Sequence, residues 1–173
     1  MIIKKAIPTE YESVKQFYYD LIDAMQNSTY HPKWQKGIYP EDQYIQESIS
    51  NGSMYIGLLD SQIVSAAIIN HASNDGYQNV DWPTQASENE VAVIHALGVT
   101  PCFARRGIGK NLVTYLIRVA KAKGCKVIRL DVLEGNLPAE KLYKSCGFQF
   151  VKRVELYYED TGLVNFDLYE LKL

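Results

Sequence analysis

The sequence predicts a mixed α/β fold, in which a mostly antiparallel sheet with one parallel strand pair is flanked by about four helices. The stretches with strand or helix patterns follow the order β-α-α-β-β-β-α-β-α-β-β. Strands at 53–59 and 62–70 are joined only by Asp60 and Ser61, which is typical of an antiparallel hairpin. Between residues 91 and 133 a helix separates two strands, which predicts a right-handed parallel crossover.

Composition bounds the class of protein. The chain has 173 residues, 47% of them hydrophobic, and a formal net charge of −2. A chain of this length buries roughly 70% of the surface that it exposes when unfolded, so residues 1–173 are expected to form one domain. The charge argues against nucleic-acid binding through a broad basic face.

The cysteines and the apolar segments predict the cellular location of the protein. Cys102, Cys125 and Cys146 cannot all pair and have no metal-site spacing, so we expect reduced, structural thiols. The N-terminus lacks a secretory pattern, and no apolar run approaches the roughly 18 residues that would span a bilayer. A cytoplasmic protein without a membrane partner is expected.

The N-terminal elements are predicted from their turn residues and periodicity. Residues 2–7 indicate a short strand, and Pro8 marks a helix start because the first helical turn leaves its N–H groups unpaired. That helix is expected to reach about Met25. After a loop at 27–40 rich in Pro and Gly, a second helix is predicted at 41–50.

The centre of the sheet is predicted at residues 91–99. Their sequence, VAVIHALGV, is apolar almost throughout, as in a strand that is buried on both faces. A helix from about Gly107 to Lys123 follows, with apolar residues at helical spacing and basic residues near its C-terminus. The remaining predicted elements are a strand at 126–133, a helix at 136–145 and strands at 147–160 and 163–171.

The strongest chemical signal lies where the helix after strand 91–99 begins. Gly107, Ile108 and Gly109 open this helix, and a helix N-terminus after a glycine-containing loop presents unpaired N–H groups to an anion. The neighbouring basic residues are Arg105, Arg106 and Lys110. This combination predicts a phosphate-binding site.

Two common nucleotide motifs do not fit this segment. The Walker pattern would require glycine at Ala104 and serine or threonine at Asn111. The dinucleotide fingerprint would require a third glycine at Leu112 and a βαβ unit at the N-terminus. A P-loop nucleotide site and hydride transfer are therefore not expected.

The segments HALGVTPCFARRGIGKNLV and RLDVLEGNLPAEKLYKSCGFQF, within 91–150, resemble the GNAT superfamily of acyl-CoA-dependent N-acyltransferases. Gly107 and Gly109 match the family pattern Gln/Arg-x-x-Gly-x-Gly/Ala, whereas Ala104 departs from it. We expect weakened rather than lost binding, because the family holds the pyrophosphate mainly through backbone N–H groups. The resemblance implies a GNAT domain with acetyl-CoA as co-substrate and no metal. The implied cofactor-binding residues are Leu97, Gly98, Val99, Arg105, Arg106, Gly107, Ile108, Gly109, Lys110 and Asn136.

The resemblance also implies how the thioester is held. Strands 91–99 and 126–133 are expected to splay apart, with pantetheine between them paired to the backbone of Leu97 and Val99. The N–H of Leu97 would polarise the thioester carbonyl, an effect typically worth about 100-fold to 1,000-fold in rate. Asn136 either hydrogen-bonds the pantetheine amides or only caps the next helix, and both alternatives remain open.

Two residues are candidates for proton transfer. Tyr143 lies where the family places a general acid for the departing thiolate, and the alternative is a tyrosine that packs beside the sulfur. His95 is a candidate general base, since it lies two residues before Leu97, on the same strand face, and an ordinary pKa near 6.5 suits that role. The alternative is a core histidine. Glu90 is a weaker candidate, more readily explained as a solvated carboxylate.

Four aromatic residues lie in loops expected to flank the acceptor: Tyr30, Trp34, Tyr39 and Trp82. Their rings could attract an ammonium group, although packing or a dimer contact would also explain them. The sequence thus predicts an enzyme that transfers an acetyl group from acetyl-CoA to a primary amine of a small molecule or peptide, in a ternary complex. The alternative is a non-catalytic acyl-CoA-binding sensor or assembly module, and a homodimer remains open.

Overall fold

The computed structural model describes residues 1–30 and 32–173, so the loop predicted at 27–40 is described except at position 31. The strands are β1 (Ile2–Lys5), β2 (Met54–Leu59), β3 (Gln62–Asn70), β4 (Val91–Val99), β5 (Val127–Leu133), β6 (Gln149–Tyr158) and β7 (Gly162–Lys172). The helices are α1 (Tyr11–Met25), α2 (Asp42–Ser50), α3 (Ile108–Ala122) and α4 (Leu137–Ser145). The predicted order of strands and α-helices is confirmed.

Within the described residues, the seven strands form one sheet in the order β1-β2-β3-β4-β5-β7-β6. Neighbouring strands are antiparallel except β4 and β5, which are parallel. This parallel pairing covers Val91–Val93 with Val127–Arg129, although both strands continue beyond it. The mixed sheet and the splayed strand pair are therefore confirmed.

Helices cover both faces of the sheet. One face, here called the α3 face, packs against α3 and α4 through a cluster that includes Ala92, Ile94, Leu112, Leu116, Ile128, Leu130 and Tyr143. The other, the α1 face, packs against α1 and α2 through a cluster that includes Val14, Tyr18, Leu21, Ile45, Ile49, Ile56, Ile68 and Ala96. No helix of the described residues is long and apolar enough to cross a membrane.

A β-bulge interrupts β4 at Ala96. Ile68 of β3 pairs with His95 and Ala66 pairs with Gly98, so β4 uses three residue steps where β3 uses two. Ala96 takes up the extra residue with a φ of 48°. The buried hydroxyl of Tyr18, on α1, donates a hydrogen bond of 2.9 Å to the Ala96 carbonyl and supports this conformation.

The bulge corrects one expectation about the two faces of β4. Without it, His95 and Leu97 would share a face. In the structure Leu97 packs against the cluster of the α3 face, whereas the His95 ring lies 6.3 Å from the ring of Tyr44 on α2. The predicted common face is wrong, because the extra residue at Ala96 reverses the alternation of side chains.

Candidate active site

A cavity of about 400 Å³ opens where β4 and β5 diverge. Its wall includes Leu97 of β4, which packs on the α3 face, and Tyr143 of α4. It also includes Trp34 and Tyr39, which pack against the cluster of the α1 face. Residues from both faces thus surround one space, and two molecules could meet there from opposite sides of the sheet.

One end of the cavity reaches the loop before α3, where Pro101 and Ala104 contribute to its wall. Gly107 is the N-cap of α3 with a φ of 76°, a conformation that glycine adopts without a steric penalty. Asn111 N–H donates to the Gly107 carbonyl over 2.9 Å, so the N–H groups of the preceding helical residues have no partner within the helix. These free donors are the groups that an anion would need.

The basic residues predicted for this end lie around the same turn. Arg105, Arg106 and Lys110 are exposed, and Arg105 has a φ of 61°. The Arg106 guanidinium lies 5.4 Å from the centre of the Phe103 ring. The turn therefore combines exposed cations with fixed backbone donors, which fits a pyrophosphate.

The strand side of the predicted cofactor site also lies on the cavity. Leu97, Gly98 and Val99 line it, in the part of β4 that has separated from β5. A Cβ atom on Gly98 would lie 2.3 Å from Cδ2 of Leu21, so α1 packs directly against the strand at this glycine.

Asn136 shows the capping role that the sequence left open. Its side-chain oxygen accepts a hydrogen bond of 3.3 Å from the Ala139 N–H at the start of α4. Asn136 also lines the cavity, so its contact with pantetheine stays a prediction.

Tyr143 lies on the cavity wall in a position suited to proton donation. Its side chain is 7% exposed, and its ring packs edge-on against Phe148 with centroids 5.5 Å apart. Burial raises the pKa of the Tyr143 phenol, and the nearby Asp131 and Cys146 groups raise it further. The phenol therefore keeps its proton at neutral pH until a strong acceptor forms beside it.

His95 is held by hydrogen bonds that fix its protonation state. Its Nε2 lies 3.0 Å from both the Asn70 side-chain oxygen and the Ala72 carbonyl, and because the carbonyl can only accept, Nε2 carries the hydrogen. Burial lowers the pKa of His95 to about 4, against the opposing effect of the Ala72 carbonyl. The expected pKa near 6.5 is wrong, and a base this weak is poorly matched to an ammonium group.

The partly buried imidazole of His95 makes the stability of the fold depend on pH. The unfolded chain binds a proton at His95 near pH 6.5 and the folded chain near pH 4, so acid favours unfolding within this window. We expect this residue to contribute about 3 kcal/mol that is present above pH 6.5 and lost as the pH falls to 4. In urea unfolding at pH 7, 6, 5 and 4, the stability difference between wild type and His95→Gln should shift in favour of the variant as the pH falls. A constant difference at all four values would contradict the assignment.

The structure places Tyr30, Trp34 and Tyr39 on the cavity wall but not Trp82. The Trp34 and Tyr39 rings are 5.7 Å apart, and Tyr39 lies 6.5 Å from Tyr158. These rings form the aromatic part of the wall.

Trp82 lies within the segment 71–89 and packs in a separate cluster that includes Tyr77, Val91 and Phe166. Its predicted place beside the acceptor is wrong. The Arg129 guanidinium lies 4.2 Å from the Trp82 ring centre, and the indole N–H donates to the Tyr77 carbonyl. Arg129 and Glu170 both bond the backbone of Thr84, so the segment is tied to β5 and β7.

Glu90 forms a structural contact. Its carboxylate pairs with Lys126 over 2.7 Å and accepts a hydrogen bond from the Ser87 N–H. These contacts lower the pKa of Glu90 to about 2, with the Lys126 bond the largest cause. This geometry fits the alternative of a solvated carboxylate without catalytic function better than it fits a general base.

An acidic residue that the sequence patterns did not single out, Asp131 of β5, lies on the cavity wall. Its Oδ2 accepts hydrogen bonds from the hydroxyls of Tyr77, at 2.8 Å, and Tyr158, at 2.7 Å. Burial raises the pKa of Asp131, while these two bonds act in the opposite direction. The available signal was an acidic residue in a strand that is apolar except for Asp131 and Arg129. In the part of the chain that is described, no group of three or more His, Cys, Asp or Glu is placed to hold a metal ion.

A family model described as the Acetyltransferase (GNAT) family matches residues 18–148. A ribosomal protein bS18-alanine N-acetyltransferase of Haemophilus ducreyi is 37% identical over 67 residues, which are 39% of this chain and 46% of that protein. An aminoglycoside N(6')-acetyltransferase type 1 of Salmonella typhimurium is 27% identical over 77 residues, covering 44% of this chain and 53% of the relative. The chain thus matches about half the length of these curated relatives.

Solved structures show the same fold over nearly the whole chain. A GNAT-family acetyltransferase from Streptococcus agalactiae has a TM-score of 0.80 at 20% identity, covering 99% of this chain and 95% of that one. An acetyltransferase from Salmonella typhimurium, solved with acetyl-CoA, has a TM-score of 0.71 at 15% identity, with coverage of 99% and 93%.

Proposed function

Because the chain belongs to the GNAT acetyltransferase family, we propose that it transfers an acetyl group from acetyl-CoA to a primary amine of a small molecule or peptide. The observation that carries the proposal is the cavity between β4 and β5, which is lined from both faces of the sheet. Relatives named for a ribosomal protein alanine and for aminoglycosides support both kinds of acceptor. Direct attack of the amine in a ternary complex fits a space that two substrates can enter separately.

The α3 face supplies the binding site for acetyl-CoA in this proposal. The N–H groups at the start of α3 hold the pyrophosphate, and Arg105, Arg106 and Lys110 add charge attraction around it. Because backbone N–H groups provide most of the contacts with the pyrophosphate, alanine at position 104 in place of the family's Gln or Arg removes one side-chain contact and leaves the site in place. Pantetheine follows the free edge of β4 and pairs with the backbone of Leu97 and Val99.

The reaction needs charge stabilisation and a proton donor on this same face. The Leu97 N–H stabilises the negative charge that develops on the thioester oxygen. Tyr143 gives its proton to the departing thiolate, since the residue lines the cavity and burial raises the pKa of its phenol. The acceptor amine enters from the α1 face, between Trp34 and Tyr39.

Calorimetric titration with acetyl-CoA and with CoA tests the binding part of the proposal. We expect micromolar binding of both, because the two share the pyrophosphate and pantetheine. A thiol-release assay over polyamines, amino acids, aminoglycosides and peptide N-termini then tests transfer. Absence of binding would refute the cofactor site, and binding without release from any amine would favour the sensor function.

A further inference from the structure

A carboxylate that forms no ion pair with any described residue lies on the α1 face of the cavity. The pairing of β5 with β4 ends at Arg129, and Asp131 comes two residues later. Asp131 lines the cavity. The Tyr77 and Tyr158 hydroxyls both bond Oδ2, and no hydrogen bond from a described residue reaches Oδ1. Among the described groups that shift the pKa of Asp131 there is no cation. A partly buried negative charge of this kind is costly unless a cation joins it.

The alternation of β5 places Asp131 opposite the proton donor. Leu130 and Val132 pack in the cluster of the α3 face together with Tyr143, so Asp131, between them, points to the α1 face. Both Asp131 and Tyr143 line the same cavity, and the Asp131 charge is close enough to raise the pKa of Tyr143. A group held at Asp131 would therefore approach the space between the strands from the side away from Tyr143.

The surroundings of Asp131 suit an ammonium ion. The rings of Trp34, Tyr39 and Tyr158 line the same side of the cavity, with neighbouring centroids 5.7 Å and 6.5 Å apart. Aromatic faces attract cations, most strongly where water is excluded. A second carboxylate, Asp160, also lines the cavity and adds negative charge. His95 adds no positive charge here, because its neutral ring is fixed by Asn70 and Ala72.

We propose that Asp131 binds the ammonium group of a cationic primary amine and accepts its proton before the amine attacks the thioester. This inference rests on the proposed function and names the acceptor class and the general base. The amine nitrogen forms a bond to the thioester carbon, the C–S bond breaks, and the thiolate takes the Tyr143 proton. The nitrogen then gives its second proton to the Tyr143 phenolate, and Asp131 releases its proton to solvent as the amide leaves.

The variant Asp131→Asn tests the proposal with two nucleophiles of different charge. Butylamine is an ammonium ion at neutral pH and needs a base, whereas hydroxylamine is largely uncharged and does not. We expect kcat/KM for butylamine to fall by about 100-fold to 10,000-fold, the usual range for loss of a general base. Activity with hydroxylamine and the affinity for acetyl-CoA should change little. Equal losses with both nucleophiles, or no loss with either, would overturn the proposal.

Controls separate this proposal from the proposed function and from misfolding. Release of CoA from acetyl-CoA by hydroxylamine, measured above the rate without enzyme, tests the transferase activity of the wild type independently of Asp131. Asp81→Asn removes one exposed negative charge outside the cavity and should leave butylamine activity unchanged. Asp131→Asn removes a partly buried charge and keeps a side-chain oxygen that can accept the bonds from Tyr77 and Tyr158, so its melting temperature should not fall. Asp131→Glu, which keeps a carboxylate, should retain more butylamine activity than Asp131→Asn, and the reverse order would count against a proton acceptor.

Discussion

Tyr143→Phe is expected to lower kcat for amine-dependent CoA release by about 100-fold to 10,000-fold, the range associated with a general acid. The variant removes only the hydroxyl, and the ring can keep its edge-on contact with Phe148 at 5.5 Å. Because we propose that acetyl-CoA is held mainly by backbone donors at α3 and β4, its dissociation constant should stay close to that of the wild type. Steady-state kinetics and calorimetry on the same preparation measure both quantities.

A tyrosine outside the cavity provides the matched control for this variant. Tyr115 of α3 packs against Tyr55 with ring centroids 5.9 Å apart, and it does not line the cavity. Tyr115→Phe should therefore keep wild-type turnover. If Tyr143→Phe also kept wild-type turnover, Tyr143 would only pack beside the sulfur, and the thiolate would take its proton from water.

Gly109→Glu is expected to weaken acetyl-CoA binding roughly 1,000-fold, because two like charges about 4 Å apart near a protein surface repel by about 4 kcal/mol. A Cβ atom at this position would lie 3.1 Å from Cδ2 of Leu142 and 3.5 Å from Cγ2 of Val99. The added carboxylate would thus project from the first turn of α3, where the pyrophosphate is expected. Calorimetric titration with acetyl-CoA measures the loss.

Gly109→Ala distinguishes charge from crowding. It adds the same Cβ atom beside Leu142, whose flexible end can move, but it adds no charge. We expect a much smaller loss of affinity than with glutamate. An equal loss in the two variants would assign the effect to packing, and micromolar binding by Gly109→Glu would mean that the pyrophosphate lies elsewhere.

The order of strands and α-helices could be predicted from the sequence because the signals are local. Helical spacing, the turn between β2 and β3, and the apolar run of β4 each depend on neighbouring residues. The glycine turn at Gly107 and Gly109 is local in the same sense. The bulge at Ala96 is not, since it depends on a hydroxyl from Tyr18, 78 residues earlier in the chain.

The errors at the site also arise from contacts that are distant in sequence. Trp82 lies in a polar segment whose position is set by Arg129 and Glu170, on strands far along the chain. The low pKa of His95 follows from burial, which no local pattern shows. The sequence shows Asp131 as the one acidic residue of a strand that is apolar except for Asp131 and Arg129. Its place in the candidate site depends on the hydrogen bond from Tyr77, 54 residues before it, and on the cavity that it lines together with Tyr143.

The division of the cavity between the two faces of the sheet has an evolutionary consequence. The expected CoA-binding residues belong to α3, α4 and the edge of β4, whereas the proposed acceptor side consists of α1, the aromatic residues after it, and Asp131. Substitutions in the second group can change the acceptor while the first group stays intact. Such a protein can acquire a new acceptor by changes in one layer of side chains, without rebuilding the site that holds its acyl donor.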